Sequence, residues 1–447
     1  MVRMARVTTV ALAVCLAVGG CTGTKDPSPG RSQRESGIHL PSWRAQVAAP
    51  DQRAAFAHVT VVGGLVVVAH DHTVAVFDRR SGHQRWVRQI GTYDQAAPHV
   101  TVTTDVIAVS YGQSLSGALT VRMDTLDLAT GRELWHRYLG ERGEATVFRD
   151  AIYTAACTGT EGCKVTRRHP RTGQGEWTVL TASPVAEVEG APLMPGGHIM
   201  VPASSSPPYL LLAGSHRDGY HVRLEAIVDS ATGRLMPVPG QGQAALATTR
   251  TLVVAGSDED SCRTTLRGFD THGGALRWRA EVFGFWAGGS ARQGCTKVMP
   301  SLMNGGRALG VASNLLVAMS ADRRPQVLDL DTGRRRWIAS RPGVPVAVSD
   351  RIVVLRDTPE YGPIRALDTT TGRELWQSID PLVTPAGAVA IADEHVVAAQ
   401  KGHVAVLDAA NGRALWWSQV GNVAGVGRGW LAVGSLGAGN EISYYAL

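Results

Sequence analysis

Six cysteines are the residues of this sequence with the clearest capacity for chemistry. Two of them, Cys15 and Cys21, belong to an apolar N-terminal segment. The other four lie far along the chain, at Cys157, Cys163, Cys262 and Cys295. These four could form two disulfides or ligate zinc. Their spacings are not those of the C-x-x-C motifs in zinc sites, and no histidine pairs accompany them, so the sequence predicts two disulfides in an exported protein.

Two short polar runs could bind a metal ion. Residues 70–72 read His-Asp-His, and residues 258–260 read Asp-Glu-Asp. Neither run has the ligand spacing of a known calcium loop, and no H-E-x-x-H, G-x-S-x-G or Gly-rich phosphate motif occurs. We interpret the first run as surface residues and the second as a solvated acidic turn. The sequence therefore predicts no catalytic residues and no metal site.

Aromatic side chains with arginines nearby form a third group, because such residues are enriched in protein and glycan recognition surfaces. They cluster in a few segments that lack the pattern of a regular strand. The candidate binding residues are Tyr209, His216, Arg217, Tyr220, Phe283, Phe285, Trp286, Arg292 and Tyr361. A small satellite core beneath long loops is the alternative interpretation of the same residues.

A repeated element must position these groups. It consists of an acid, a glycine four residues later and a tryptophan four residues after that, as in LDLDTGRRRW at residues 328–337. An aspartate can hydrogen-bond its own turn, and glycine accepts a positive φ, so each copy predicts a tight hairpin. His169 replaces the acid in one copy, and Pro237 replaces the tryptophan in the next. The eight copies end at Trp86, Trp135, Trp177, Pro237, Trp278, Trp337, Trp376 and Trp416.

Three short strands precede the hairpin in each repeat, as residues 385–408 show most clearly. Four antiparallel strands at a period of about 40 residues are typical of a propeller blade. The last repeat lacks a tryptophan strand, and the segment around Trp43 supplies one from the other end of the chain. The sequence therefore predicts an all-β propeller that its N-terminal strand closes. Eight blades are favoured, with nine as the alternative.

The N-terminus is typical of an exported lipoprotein. Arg3 and Arg6 precede an apolar run at residues 7–18 that is too short to span a bilayer. Residues 18–21, Val-Gly-Gly-Cys, look like a bacterial lipobox, and lipidation of Cys21 would anchor the protein to the extracytoplasmic face of the cell membrane. An ordinary secretory signal is the alternative. The predicted divisions are a signal peptide at 1–20, a linker at 21–37 and the propeller at 38–447.

The composition excludes some classes of protein. The 447 residues are 44% hydrophobic and 18% charged, which is typical of a folded chain rather than a disordered one. The net charge of +6 is dispersed, and no basic run is interleaved with aromatic residues. We therefore expect no nucleic-acid partner. The expected partners of this monomer are a protein, peptide or glycan of the cell envelope, besides the membrane itself.

The hairpins of the form A-L-D-x-x-T-G-x-x-x-W resemble the pyrroloquinoline-quinone-type repeat across residues 40–447. That resemblance covers quinoprotein dehydrogenases and non-catalytic propellers such as the BamB-like lipoproteins. The dehydrogenases place a vicinal Cys-Cys disulfide on the quinone and carboxylates on calcium, whereas this sequence has no adjacent cysteines and no matching calcium ligands. The resemblance therefore implies a propeller without catalysis or cofactor. The alternatives are a quinone- and calcium-dependent dehydrogenase and an extracytoplasmic sensor or envelope-assembly factor.

The blade geometry assigns each loop to a face. The hairpins between third and fourth strands lie on one face, and the loops between second and third strands lie on the other with the connections between blades. Cys157 and Cys163 flank one such loop, and a bond between Cys262 and Cys295 would join two segments of the same face. Elaborated loops on a rigid scaffold usually bind partners, so we expect function there. The long loops are predicted at 111–119, 157–163, 204–221, 257–263 and 357–363, with a long connection at 282–307. Every long insertion is thus expected on this one face.

Overall fold

A series of 36 β-strands accounts for almost all the regular structure of the chain in this computed structural model. No helix occurs among the described residues, so none of them forms a helix long and apolar enough to cross a membrane. The described residues are 40–47, 58–70, 72–91, 98–115, 118–141, 143–157, 162–181, 187–189, 205–215, 222–236, 238, 243–248, 250–258, 263–271, 274–283, 311–312, 314–322, 324–357, 362–378, 388–400, 403–418, 422–434 and 441–447.

The strands fall into nine consecutive sets of four, which we number as units 1 to 9. Unit 1 contains β2 (His58–Val62), β3 (Leu65–His70), β4 (Thr73–Asp78) and β5 (Gln84–Gln89). Unit 2 contains β6 (His99–Val102), β7 (Val106–Leu115), β8 (Ala118–Asp127) and β9 (Glu133–Tyr138). Unit 3 contains β10 (Glu144–Val147), β11 (Ile152–Cys157), β12 (Cys163–Arg168) and β13 (Gly175–Leu180).

The middle of the chain repeats this order. Unit 4 contains β14 (Glu187–Glu189), β15 (Tyr209–Ser215), β16 (Val222–Asp229) and β17 (Leu235–Met236). Unit 5 contains β18 (Gln243–Ala247), β19 (Thr251–Asp258), β20 (Arg263–Asp270) and β21 (Leu276–Phe283). Unit 6 contains β22 (Val311–Ala312), β23 (Leu315–Met319), β24 (Pro325–Asp329) and β25 (Arg335–Ile338).

The last three units complete the series. Unit 7 contains β26 (Val344–Val348), β27 (Ile352–Arg356), β28 (Ile364–Asp368) and β29 (Glu374–Ser378). Unit 8 contains β30 (Ala388–Ala392), β31 (His395–Gln400), β32 (His403–Asp408) and β33 (Ala414–Ser418). Unit 9 contains β34 (Asn422–Gly427), β35 (Trp430–Gly434), β36 (Glu441–Ala446) and, from the N-terminus, β1 (Trp43–Gln46).

Hydrogen bonds join these strands into eight antiparallel sheets. Seven units are separate four-stranded sheets, whereas units 5 and 6 form one eight-stranded sheet through the pairing of Phe283 with Met319. The predicted all-β propeller is thus confirmed, with eight sheets as favoured. The alternative of nine blades would count the two four-stranded halves of the eight-stranded sheet, units 5 and 6, as separate blades.

Each unit packs face to face on the next through an apolar cluster. Between units 1 and 2, for example, Val67 and Val76 are fully buried against Ile107 and Leu126. A sheet between two neighbours is covered on both faces, so its strands are near-continuous apolar runs such as LVVVAH in β3. This face-to-face packing holds the compact part of the chain, Gly37–Leu447, together.

The N-terminal strand closes the ring, as predicted. β1 pairs with β36, and the Trp43 ring stacks on Tyr444 with 4.9 Å between ring centroids. The same ring lies 5.9 Å from Phe77 of unit 1. A strand from the start of the chain therefore completes the last unit and packs against the first, which leaves unit 9 with a paired outer strand.

Two predicted loops contain strand. The loop expected at 111–119 was wrong for all but residues 116 and 117, because the rest belongs to β7 and β8. Residues 204–221 were expected to form a loop between second and third strands, but Tyr209–Ser215 is β15, the second strand of unit 4. The long connection before it, between Glu189 and Tyr209, joins first and second strands and therefore lies on the hairpin side. The prediction that every long insertion shares one face was wrong. The apolar run Tyr-Leu-Leu-Leu before a glycine was the sequence signal for a buried strand.

Candidate functional site

The repeated aspartate shapes its own hairpin. In unit 6, Oδ1 of Asp329 accepts hydrogen bonds from the backbone N–H groups of Asp331 and Thr332, each at 3.0 Å. The N–H of Gly333 donates to the Asp329 carbonyl at 2.7 Å, and Gly333 has a φ of +66°. This φ is the left-handed conformation that glycine adopts without strain. The degenerate copy keeps the turn, because Nδ1 of His169 lies 3.3 Å from the N–H of Arg171.

The repeated tryptophan binds the next unit rather than its own. Trp337 of unit 6 donates its Nε1–H to the carbonyl of Thr369 in the hairpin of unit 7, at 2.8 Å. Its ring lies over Gly372 so closely that an added Cβ would be 2.5 Å from it. Seven tryptophans make this contact, with N···O distances of 2.7–3.1 Å: Trp43 to Arg79, Trp86 to Leu128, Trp135 to Pro170, Trp177 to Ser230, Trp278 to Leu330, Trp337 to Thr369 and Trp376 to Ala409. Trp416 instead stacks on Tyr445 of unit 9, 5.0 Å between centroids.

The recurring polar groups of the hairpins are therefore engaged in structure. Burial alone would raise the pKa of Asp329, but hydrogen bonds from Arg336 and Thr332 outweigh it, and the pKa lies below its ordinary value. The pKa of Asp78 is held well below its usual range by Arg85 and Ser81. Carboxylates this strongly stabilised as anions are poor general acids or bases near neutral pH. The hairpin face therefore consists largely of repeated contacts that join neighbouring units.

Acid is expected to destabilise the propeller through these aspartates. Their pKa values in the folded chain lie below the ordinary 3.8, so the unfolded chain takes up protons first as the pH falls. Their stabilisation is complete above about pH 4 and is lost as the pH falls through the lowered folded values. Urea denaturation at pH 7, 5, 4 and 3 measures this loss. Asp329→Asn keeps an acceptor oxygen but not the charge, and it should show a smaller loss; an unfolding free energy that stays constant from pH 5 to pH 3 would contradict the prediction.

In the third strands of units 1 to 8, the residue three before the repeated acid, or before His169 in unit 3, varies in size and polarity. Because side chains alternate along a strand, this position faces the preceding unit. Units 1, 4 and 8 have alanine there, whereas units 2, 3, 5, 6 and 7 have larger polar residues. The occupants are Ala75, Asp124, Thr166, Ala226, Arg267, Gln326, Arg365 and Ala405. This position therefore gives several interfaces between units a polar group of their own.

Asp124 lies in a charged network between units 1 and 2. Its carboxylate accepts hydrogen bonds from Tyr111 at 2.9 Å and from Arg122 at 2.6 Å. Glu133 accepts from Arg88 of unit 1 at 3.1 Å and lies 2.8 Å from Nδ1 of His136. Burial raises the pKa of Tyr111, and the neighbouring Asp124 adds to the increase. A sequence signal existed, since an acid stands where units 1 and 8 have alanine.

This network does not fit a metal ion. Ligand atoms of Asp124, Glu133 and His136 lie within 4.8 Å of one another, as a metal site would require. The guanidinium of Arg122, however, already contacts both carboxylates, at 2.6 Å from Asp124 and 3.7 Å from Glu133. A cation would have to displace this positive charge. We interpret the network as a set of ion pairs that connects units 1 and 2.

Arg365 stabilises part of the loop-bearing face, which lies opposite the hairpins. Its side chain is buried, and its Nε donates to Asp357 at 3.1 Å. The same guanidinium donates to the backbone carbonyls of Arg341 and Pro342, in the connection between units 6 and 7. A buried cation with these partners is costly to disrupt. It fixes this connection against the scaffold.

The candidate binding residues are only partly described. Tyr209 is buried in β15 and packs against Leu211 and Ile227, so it is a core residue rather than part of a binding surface. Phe283 ends β21, is half-buried and packs against the cluster between units 5 and 6. Both aromatic residues extend an apolar strand pattern into what was interpreted as a loop. The remaining candidates lie outside the described residues: His216, Arg217, Tyr220, Phe285, Trp286, Arg292 and Tyr361.

Cys157 and Cys163 form a disulfide that joins the ends of β11 and β12, with their Cα atoms 4.3 Å apart. It closes the short loop between these strands on the loop-bearing face. Cys21, Cys262 and Cys295 lie outside the described residues, so the second disulfide and the lipid anchor stay predictions.

The histidines of the first polar run are not surface residues. His70 and His72 are both buried, and Nδ1 of His72 lies 3.1 Å from the carbonyl of Ile90. The tight turn between β3 and β4 therefore directs the imidazole of His72 toward the connection at Ile90. The interpretation of these two histidines as surface residues was wrong. An Asp between two histidines suggested exposure, but the flanking strands extend up to both of them.

One model of a known protein family matches this chain in two segments. The model described as outer membrane protein assembly factor BamB, built on the pyrroloquinoline-quinone-type repeat, matches residues 41–152 and 262–425. These segments make up more than half of the 447 residues. The chain belongs to this family. The unmatched stretch between the two segments contains both degenerate hairpins of this BamB-family protein, those of His169 and Pro237.

Three solved structures have a partial similarity to this chain. BamB from Moraxella catarrhalis is 15% identical, covers 91% of this chain and 100% of its own, and has a TM-score of 0.46. The computationally designed Ika8 protein is 16% identical over 88% and 96% of the chains, with a TM-score of 0.45. A europium-containing methanol dehydrogenase is 12% identical over 90% and 88%, with a TM-score of 0.42. None of the curated proteins compared with this chain matches it significantly.

Proposed function

We propose that this BamB-family protein is a non-catalytic propeller scaffold of the cell envelope that binds a protein, peptide or glycan through its loop face. The loop face is the side that bears the loops between second and third strands and the connections between units. Lipid on Cys21 would tether the protein to the extracytoplasmic side of the membrane. The observation that carries the proposal is the contrast between the two faces of the propeller.

Apart from the long connection between Glu189 and Tyr209, the hairpin face is regular and largely engaged with itself. Each of its eight hairpins has the glycine N–H bonded to the acid-position carbonyl, and seven of them receive a tryptophan at the neighbouring carbonyl or glycine. Polar groups that are already paired in the free protein contribute little to binding a partner, because binding would have to break those pairs. The repeated motif therefore supports the fold.

The loop face varies from unit to unit. Its segments range from the tight turn between His70 and Thr73 to the long connection between Phe283 and Val311. Cys157–Cys163 and the buried Arg365 hold parts of this face in place. Variable loops fixed on a rigid scaffold are the usual design of a binding surface.

A β-ribbon on this face favours an extended peptide or protein as the partner. Pairing of β7 with the inner strand β6 ends at Ser110. On the outer edge of β8, pairing with β9 ends at Arg122, and Val121 still exchanges backbone hydrogen bonds with Leu139 and Gly140, so the extension of β8 comprises Ala118 to Thr120. β7 and β8 continue to pair with each other as far as Leu115 and Ala118. Within the described part of the chain, no strand pairs with either edge of this extension. Such edges can accept a further strand.

The described residues fit a quinone and calcium cofactor poorly. The disulfide that the described residues contain joins Cys157 to Cys163, six residues apart, rather than two adjacent cysteines. Among the described residues, the group whose ligand atoms lie close enough for a metal ion is Asp124, Glu133 and His136, and Arg88 and Arg122 pair with its carboxylates. We therefore propose that the protein acts without this cofactor. A dehydrogenase is the alternative that the test below also addresses.

A role as an outer membrane protein assembly factor is the second candidate function. The observation that favours it is the family match itself, since this is the role that the family's description gives. It is a narrower version of the scaffold function, in which the partner is an assembly component. The same interaction test distinguishes it through the identity of the captured partner.

Removing the long connection of the loop face is expected to abolish partner capture while the propeller stays folded. The deletion should span residues 284–307 and leave Phe283 in place, because Phe283 belongs to the core. A Gly-Ser linker as long as the segment between Gln89 and His99 replaces it. Crosslinking and mass spectrometry on intact cells compare the partners of the two proteins.

The matched control is deletion of residues 190–204, the long connection on the hairpin side, which should leave the crosslinked partners unchanged. Equal partner profiles for wild type and the loop-face deletion would contradict the proposal. So would dye-linked alcohol or sugar oxidation by the purified protein after reconstitution with quinone and calcium.

A further inference from the structure

The N-terminal segment joins the propeller on the hairpin face, the side that bears the hairpins and the turns between first and second strands. Leu40 is the first described residue, and Ser42 then donates its N–H to the carbonyl of Tyr444 at 2.7 Å. The indole of Trp43, at the start of β1, donates to Arg79 in the hairpin of unit 1. From there β1 runs toward the loop face, antiparallel to β36. The chain therefore enters the propeller beside the hairpins.

A lipid on Cys21 would hold this face near the membrane, and this step rests on the anchor of the proposed function. Residues 21–39 connect the anchor to Leu40. A chain of this length reaches at most about 70 Å even when fully extended. Because the chain enters beside the hairpins, the anchor keeps the hairpin face within reach of the lipid headgroups.

The hairpins carry a repeated arginine. In five units an arginine directly follows the hairpin glycine, and its carbonyl accepts a hydrogen bond from the N–H of the repeated acid at 2.8–3.0 Å. This shared backbone geometry puts the five side chains at equivalent places, and all of them are exposed. They are Arg132, Arg234, Arg334, Arg373 and Arg413. The last three belong to the consecutive units 6, 7 and 8, and unit 9 beside them receives the entering chain.

The neighbouring acids are engaged elsewhere. In the described part of the chain, none of the five arginines forms a salt bridge with a carboxylate. Asp368, for example, accepts hydrogen bonds from the N–H groups of Thr370 and Thr371 in its own turn. Four acids in the turns between first and second strands each lie within 4.0 Å of a different arginine: Asp105, Asp150, Asp393 and Glu394.

Residues of this face that lie outside the described part add no negative charge. They are 190–204, 249, 272–273 and 313, and none of them is an aspartate or glutamate. The positive charge of the repeated arginines is therefore available to an anionic partner.

An exposed apolar side chain lies on the same face. Leu40 is 75% exposed, the highest value among the exposed large apolar side chains of the described residues. Surfaces that lie in a membrane interface combine cations, which contact headgroup phosphates, with apolar side chains that enter the boundary of the acyl chains. The hairpin face of units 6 to 9 has both components.

We propose that the hairpin face of units 6 to 9 is a docking surface for the anionic headgroups of the membrane to which Cys21 is anchored. Arg334, Arg373 and Arg413 pair with headgroup phosphates, and Leu40 enters the boundary of the acyl chains. One lipid chain gives only marginal membrane binding, so a basic surface on the same side strengthens the attachment. This orientation turns the loop face away from the membrane and toward the proposed partner.

Co-sedimentation with lipid vesicles tests the surface without the anchor. The chain from residue 21 with Cys21→Ser carries no lipid, and the vesicles are pure phosphatidylcholine or equal parts of phosphatidylcholine and phosphatidylglycerol. We expect binding to the anionic vesicles alone, and weaker binding as salt increases. Equal binding to both kinds of vesicle, or binding to neither, would overturn the proposal. The vesicles contain no protein, so this failure is distinct from a failure of partner binding at the loop face.

Two matched triple variants locate the surface. Replacing Arg334, Arg373 and Arg413 with glutamine should weaken binding to anionic vesicles by about ten-fold or more. The control replaces three exposed cations that lie away from the hairpins with glutamine: Arg137, Lys164 and Arg279. It removes the same charge and should change binding by less than about two-fold, because screening limits the reach of each charge. Urea denaturation verifies that both variants are folded. Equal weakening by the two variants would show a response to net charge alone and would overturn the location.

A fluorophore on residue 40 reports the orientation. Leu40→Cys, in the same Cys21→Ser chain, carries an environment-sensitive dye. The matched control carries it at Glu141→Cys, an exposed position in the connection between units 2 and 3 on the loop face. On anionic vesicles we expect a blue shift of the emission from residue 40 and none from residue 141. The absence of a shift at residue 40, or an equal shift at residue 141, would overturn the proposed orientation.

Discussion

Replacing Trp337 with alanine is expected to lower the free energy of unfolding by about 3–5 kcal/mol. The side chain is only 8% exposed, covers Gly372 and donates its Nε1–H to Thr369 at 2.8 Å. Alanine would leave a cavity between units 6 and 7 and remove the donor from a buried carbonyl. Equilibrium urea denaturation followed by far-ultraviolet circular dichroism measures the change.

Trp337→Phe is the matched control, because it keeps a ring over Gly372 but has no N–H to donate. Its expected cost is about 1–3 kcal/mol, less than that of alanine. If the alanine variant were as stable as the phenylalanine variant, the tryptophan would act mainly through its hydrogen bond. The proposed filling of the gap between units would then be wrong.

Replacing Gly372 with alanine is the second change with a large expected effect. The residue has a φ of +71°, which costs an alanine about 1–2 kcal/mol. The new Cβ would also lie 2.5 Å from the Trp337 ring, and that ring is held between two units. Overpacking of this kind adds about 1–3 kcal/mol. We expect a total destabilisation of about 2–5 kcal/mol in urea denaturation.

The chain provides its own control for this clash at Gly274. Gly274→Ala carries the same backbone cost at a φ of +66°, but no described atom stands within 4 Å of its Cβ position. It should therefore lose only the backbone part, about 1–2 kcal/mol. Equal losses of unfolding free energy for the two variants would show that the Trp337 ring moves aside without an energetic cost. That result would contradict tight packing of this ring on Gly372.

The loops were harder to predict than the repeat, and unit 4 shows why. Tyr209 was assigned to a binding loop, yet it is buried in β15. The preceding prolines indicated a loop, while the strand that follows pairs with Val222–Asp229 at a distance in sequence. Local residue types cannot specify such a partner. The same limit explains His72, whose burial depends on the neighbouring connection at Ile90.

The charged network of units 1 and 2 was also missed. Arg88 and Glu133 are far apart in sequence and meet because neighbouring units stack face to face. A comparison of equivalent positions would have flagged Asp124, since units 1 and 8 have alanine there. Such a comparison of positions would not have shown that Arg122 lies between the carboxylates of Asp124 and Glu133. It would therefore have suggested a metal site, which the structure disfavours.

The sequence by itself determined the unit of this fold. The repeated acid and glycine specify a hairpin through local hydrogen bonds and a positive φ, and these depend on a few adjacent residues. Only the tertiary structure decided what the tryptophan does, because its partners, such as Thr369 and Gly372 for Trp337, belong to the next unit. A missing tryptophan, as at Pro237, is visible in the sequence. The contact that each other tryptophan makes with the following unit exists only after two units have packed together.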